Sequence, residues 1–374
     1  MEIRRLEDDG NWSTLGVHPA RYLTLLPENL WAFLLRDDAD ILLAIADRCP
    51  PLDSHPQFEP VASTTAAEAE LYGVSVREFH LATSPGWRVL NTGVIEAYAP
   101  AWGLERLSHG GMAFLRPVLP RTTPDVSTRR RDFYDAPKLV FKKLCSSLTA
   151  SVDRDGSYAG LNVNFVVTTR ELVTLLGAIM NSSLMRWVYE GYFGALRMSG
   201  GYMQVQAPQL RVLPLADRLF TEGNPLSDPL LAQLAEAGAT LSDIEQERMD
   251  TRIAFMATMA QLLGLSRYRD AEPSWVMPRQ AAILAAVEDT SSDHFDGFWA
   301  PLRLTARQLH VDITVARLER ELVAAVQNAR AAFAALGVRA SSVREGIDAM
   351  VFDLYGLSAS EIVTVTASAG GVGL

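Results

Sequence analysis

A switch of hydrophobic period between residues 161 and 188 constrains this chain more than any other feature. Leu161, Val163, Phe165 and Val167 alternate with Asn162 and Asn164. That is the period of a strand that buries one face and turns its amides outward. Directly afterwards Leu172, Leu175, Leu176, Ile179, Met180, Leu184, Trp187 and Val188 fall at helical spacing. Their stripe predicts one long helix packed on a sheet. Thr168, three residues before Glu171, has the spacing of a capping box at its start, and Gly191 and Gly194 end it.

The surrounding residues extend the pattern. Lys138 to Leu144 reads as a basic, apolar strand. Asp153-Arg154-Asp155-Gly156 is hairpin-turn chemistry, with Gly156 free to take positive φ. Gly200-Gly201 opens a flexible approach to Met203–Gln206, where Gln204 and Gln206 alternate onto a polar face. Asn181-Ser182 sits inside the apolar helix, which predicts a backbone-bonding, structural role for it.

Together these residues resemble the TaqI-like C-terminal specificity domain. That is the target-recognition module of adenine-N6 DNA methyltransferases and of fused type IIG restriction-modification enzymes. The resemblance is carried by Pro137-Lys138, by Asp153 with Gly156 and Tyr158, by Asn181-Ser182, by Gly200-Gly201 and by Leu213-Pro214. Upstream, LNTGVIEAYAPAWG (Leu90 to Gly103) resembles the segment leading into that domain. IDAMVFDLYGLSASEI (Ile347 to Ile362) resembles its closing helical signature. The resemblance implies an α+β protein, a mixed-sheet target-recognition domain followed by a helical spacer or bundle. Residues 1–50 are then a helical lead-in or linker, 51–216 the recognition domain, and 217–374 a helical spacer and docking domain. In the related enzymes such a lead-in joins the recognition domain to the methyltransferase; here that join is expected to be cut or replaced by a subunit contact.

The helical periods beyond Asp217 fit the last assignment. Pro225–Gly238 and Leu241–Leu263 read as two helices, the second with a capping box at Ser242 and Glu245. Arg317–Leu336 carries an apolar side, and Ile347, Met350, Val351 and Leu354 another, with Gly356 as its C-terminal cap and a further box at Ser358 and Glu361. Residues 52–134, rich in Pro, Thr and Gly, predict a mostly irregular stretch with short strands at Trp87–Leu90 and Met112–Leu115. Thr122–Thr128 reads as a loop carrying the arginines after it.

Two cysteines, Cys49 and Cys145, make no disulfide or zinc pattern and suit a reducing cytoplasm. The acidic start, from Glu2 to Asp9, does not read as a secretory signal, and no apolar run reaches the length of a membrane span. The net charge of −10 speaks against nucleic acid on average. Its distribution does not: Arg116–Arg154 holds nine basic residues against four acidic, while Asp217–Ala300 holds six against fourteen. One region suits phosphates and the other a protein partner.

Catalytic patterns are missing from the sequence. The Asn/Asp-Pro-Pro-Tyr/Phe loop that an adenine-N6 methyltransferase uses on a flipped base does not occur; Pro50-Pro51 lies in CPPL. No glycine-rich methyl-donor loop occurs either, and the SAGGVGL tail reads as a frayed terminus. His18, His55, His80, His109, His294 and His310 are scattered, and the Asp153–Gly156 turn lacks the other positions of a calcium loop. The expectation is a chain that is no enzyme by itself and carries no cofactor, S-adenosylmethionine being held by a methyltransferase partner.

A binding surface remains. Arg129, Arg130, Arg131, Lys138, Lys142 and Lys143 are the candidates for phosphates, and Asn162, Asn164, Arg197, Gln204 and Gln206 those for base edges. The expected partners are double-stranded DNA and an adenine-N6 methyltransferase domain or subunit. The alternative is a non-DNA-binding regulatory or decoy protein that docks on a methyltransferase.

Overall fold

The structure, a computed structural model, describes residues 1–79, 86–289 and 296–370 except Glu7 and Asp9. His80, His294 and the last four residues of the glycine-containing tail lie outside the described residues. The chain is mixed α and β, with several small sheets and a helical C-terminal region.

The first part contains the hairpin β1 (Glu2–Leu6) and β2 (Trp12–Val17), then α1 (Ala39–Arg48), β3 (Glu59–Ala62) and α2 (Ala66–Gly73). Next come β4 (Arg77–Glu78), β5 (Gly86–Leu90), β6 (Leu107–His109), β7 (Met112–Phe114), β8 (Pro117–Pro120) and α3 (Thr128–Asp135). The centre runs β9 (Lys138–Phe141), β10 (Leu144–Cys145), β11 (Ala150–Asp153), β12 (Tyr158–Gly160) and β13 (Asn164–Val167). It continues through α4 (Val173–Met180), α5 (Ser183–Phe193), β14 (Met203–Gln204) and α6 (Ala207–Arg211). The remainder is helical: α7 (Pro229–Leu262), α8 (Ser266–Ala271), α9 (Gln280–Glu288), α10 (Asp296–Gln308), α11 (Ala316–Leu354) and α12 (Ala359–Gly370).

The central sheet has the order β11-β9-β13-β3, antiparallel throughout. It separates two apolar cores. Leu139, Phe141, Ala150, Val152 and Val166 face α4 and α5, while Val140 and Phe165 face Trp87 and Tyr134. Alternation therefore means inside against inside, and β13 is shorter than the expected strand. It starts at Asn164, because Asn162 takes φ +58 in a turn.

The turn at Asp153–Gly156 does not close a hairpin. It carries the chain from β11 to β12, which pairs parallel with β5 in a second sheet of order β12-β5-β8-β4. Gly156 has φ +62, and a Cβ there would lie 1.9 Å from the Asp135 carbonyl oxygen, so only glycine fits. Asp153 secures the crossing: its Oδ1 accepts from Ser157 N–H at 2.9 Å and its Oδ2 from Tyr158 N–H at 3.0 Å.

The long apolar helix expected after Thr168 is two helices. Asn181 leaves the helical path and bonds both the N–H and the C=O of Ala150 at 3.0 Å, and Ser182 then caps α5 by accepting from Met185 N–H. This is the backbone-bonding role expected of the pair. The Thr168–Glu171 box does not cap α4; Thr168 Oγ1 is buried without a hydrogen-bond partner.

The opposite correction applies further on. Pro229–Leu262 is one helix running through Gly238, so Ser242 is a buried mid-helix residue and caps nothing. A Cβ on Gly238 would meet Thr174 O at 2.3 Å, which shows how closely α7 lies on α4. Ala316–Leu354 is likewise continuous. It ends as expected at Gly356, with φ +63, and Ser358 and Glu361 form the expected box.

Helices α7 and α11 pack on each other and join the cores. Leu231–Ile244 of α7 and Leu336–Leu354 of α11 contribute to the core around α4 and α5. Met249–Leu263 and Leu322–Phe333 contribute to another with α9 and α10. The first of these cores also takes Tyr22, Leu42 and Ile45, so it draws on all three expected segments of the chain. Residues 52–134, expected to be largely irregular, supply most of the second sheet and helices α2 and α3. Among the described residues no helix is long and apolar enough to cross a membrane.

Candidate nucleic-acid interface

Two of the residues expected to meet DNA lie in the interior. Lys138, at the start of β9, is 0% exposed. Its Nζ donates to Asp153 Oδ2 at 2.5 Å, to Tyr134 O at 2.8 Å and to Ala136 O at 3.1 Å, so it cannot reach a phosphate. Burial lowers the Lys138 pKa from its ordinary value, against the pull of Asp153. Asn164 is also buried, and its Nδ2 donates to Val205 O at 2.7 Å. That bond fixes the segment leaving β14; it does not present an amide outward.

The arginine triplet stands on α3, directly after the loop expected to carry it, with Ser127 as the N-cap. Its three members do different things. Arg131 is committed to the carbonyls of Val126, Arg121 and Thr123 and clamps the preceding loop. Arg130 donates to Ala62 O at 2.5 Å and pairs with Glu68 at 2.9 Å. Burial works to raise the Glu68 pKa, but the Thr65 N–H and the Arg130 charge hold it below the ordinary carboxyl range. Arg129 is exposed, with Glu59 at 3.4 Å.

Four of the expected residues do converge. β10 pairs with β14, so Leu144 lies opposite Gln204, and Val205 N–H donates to Lys143 O at 2.8 Å. Lys143 Nζ donates to Asn162 Oδ1 at 2.6 Å, and Gln206 Nε2 to Gln204 Oε1 at 2.8 Å. Tyr189, buried in α5, holds the Gln204 carbonyl at 2.8 Å from below. Asn164 is opposite Ala62 of β3, and through that register the face reaches the arginines. There a groove of about 280 Å³ is lined by Ala62, Arg129, Arg130, Phe133, Ala207 and Arg211.

Arg211, on α6, was not among the sequence candidates. Its guanidinium pairs with Asp53 at 3.3 Å and donates to Pro60 O at 3.2 Å, so Arg130 and Arg211 together cover carbonyls of edge strand β3. No signal in the sequence marked it, because its position depends on the packing of α6 against β3.

The electrostatics are restrained. Lys142 has Glu96 at 3.5 Å, Arg197 has Glu190 at 2.7 Å, and Arg129, Arg130 and Arg211 have the carboxylates already named. Lys143 is the member of the group whose hydrogen bond is to a neutral amide. A phosphate arriving here competes with carboxylates at Lys142, Arg129, Arg130, Arg197 and Arg211, and with a neutral amide at Lys143. Among the described residues no three of His, Cys, Asp and Glu are grouped to hold a metal ion.

Compared with models of known families and with curated proteins, the chain matches none.

Proposed function

We propose that this chain is a target-recognition module that reads duplex DNA for an adenine-N6 methyltransferase, which belongs to a partner chain or to a further domain. The observation that carries the reading is the convergence of Lys143, Asn162, Gln204 and Gln206, drawn from three separate segments, beside the groove of Arg129 and Arg211. Asn and Gln amides are the side chains that pair bidentately with adenine in the major groove, and cations at the rim set the register on the backbone. In this arrangement Lys143, Arg129 and Arg211 take phosphates, and Asn162, Gln204 and Gln206 reach base edges. The Lys143–Asn162 bond is exchanged for DNA contacts on binding. The acidic helical half suits a protein partner, and the module would supply neither the methyl donor nor the reacting groups.

The carboxylates beside most of these cations favour a second reading, a protein that docks on a methyltransferase without touching DNA. Salt separates the two. With three phosphates neutralised, the affinity for duplex falls by about 2.7 log units per log unit of salt. A chain that binds only the methyltransferase shows no duplex binding for salt to weaken. The experiment is a salt titration of binding to a random duplex, with the methyltransferase present and absent.

A further inference from the structure

A second pair of arginines sits away from this face, in the cleft between the loop at Gly103, the end of β7 and helices α7 to α9. Arg269 of α8 lines the cleft with Gly103, Leu115, Ile253, Trp275 and Gln280, and Arg116 lies behind that lining, its Nε 3.5 Å from where a Cβ on Gly103 would stand. Neither guanidinium has a carboxylate within 4 Å among the described residues. Glu78 accepts the N–H groups of Leu115 and Arg116 at 2.8 and 2.9 Å, and Glu272 pairs with Arg106 at 3.1 Å. Arg269 Nε is buried without a hydrogen-bond partner. Two half-buried like charges and an unsatisfied donor are an expensive arrangement unless something anionic completes it.

We propose that Arg116 and Arg269 form a binding site for a phosphate-type oxyanion. The cleft is narrow, with room for about one water-sized group within some 340 Å³ of space counted out to solvent. One oxygen of the anion would fill that room and accept from Arg269 Nε–H, with the rest of the anion toward solvent and within reach of the Arg116 charge. Guanidinium forks match this geometry, and the surrounding Leu115, Ile253 and Trp275 strengthen the attraction by excluding water. Burial and the neighbouring Arg269 charge lower the Arg116 pKa, against the smaller pull of Glu78. The phosphate can be free inorganic phosphate or one belonging to a DNA backbone.

The test measures thermal unfolding of the full chain in sodium phosphate against sodium chloride at matched ionic strength, and separately its affinity for a random duplex. It compares the native chain with Arg269→Gln, Arg116→Gln and, as a control, Arg267→Gln on the same short helix. Phosphate stabilisation lost in Arg269→Gln and Arg116→Gln but kept in Arg267→Gln establishes the site and a free anion. Duplex affinity reduced about tenfold by the same two changes, without an effect of free phosphate, establishes a backbone phosphate. If the native chain gains nothing from phosphate and duplex affinity is the same in all four proteins, the proposal is wrong. A duplex that binds only through the Lys143 face would produce that last result while leaving the proposed function standing.

Discussion

Lys138 Nζ and Asp153 Oδ2 lie 2.5 Å apart at the paired ends of β9 and β11, with side chains 0% and 2% exposed. The pair closes one end of the central sheet, and the same carboxylate holds the start of β12, so a single ion pair links two sheets. Removing one partner leaves the other charged and buried. Lys138→Met and Asp153→Asn are each expected to lose about 3–5 kcal/mol of stability, measured by urea unfolding. A loss under about 1 kcal/mol in both would mean that the pair does not hold the crossing.

Glu288 provides the pH dependence. Burial works to raise its pKa, but the hydrogen bond from Arg252 and the charges of Arg252 and Arg248 hold it below the usual 4.5. A carboxyl kept ionised in the fold binds fewer protons than its unfolded counterpart. Its contribution is whole above pH 4.5 and drains away as pH falls through the lower folded value. Stability measured between about pH 6 and 3 should fall less steeply in Glu288→Gln than in the native chain.

Two glycines of the long helices, Gly238 and Gly337, should respond in opposite directions. Gly238→Ala drives a methyl into Thr174 O and should destabilise by about 1–3 kcal/mol, with α7 pushed from α4. A methyl added at Gly337 in α11 would have no neighbour within 4 Å, and Gly337→Ala should stabilise by about 0.5–1 kcal/mol. Equal effects in thermal unfolding would contradict the packing described.

Both thiols should be silent in the native protein. Burial pushes Cys49 and Cys145 up to about 11, with Arg48 and Lys142 pulling only weakly the other way. At neutral to mildly alkaline pH a disulfide reagent should label them on the order of a hundredfold more slowly than a free cysteine, and at the ordinary rate after unfolding.

Much of the local structure was legible in the sequence. Strand alternation around Phe165, the positive φ at Gly156 and the cap at Gly356 all follow from residue chemistry. Partners across space were not. Alternation shows two faces and cannot say that both are covered, so Asn164 read as outward although it supports Val205 from inside. Lys138 read as a phosphate cation because its buried counter-ion is fifteen residues away. The break at Asn181 was hidden by the continuous apolar stripe on both sides of it. At the candidate face, Gln204 and Gln206 were found because alternation there is real, whereas Arg211 depends on how α6 lands on β3.

Sequence reading by the Lys143 face is the central claim. Its direct measurement is selection from a random duplex pool at low and physiological salt, alone and with the methyltransferase, comparing the native chain with the Gln204→Ala, Gln206→Ala double variant. Enrichment of one short motif by the native chain, relaxed in the variant while total duplex binding persists, is the result predicted. A native chain that retains no duplex, or one whose enriched motif is unchanged in the variant, contradicts it.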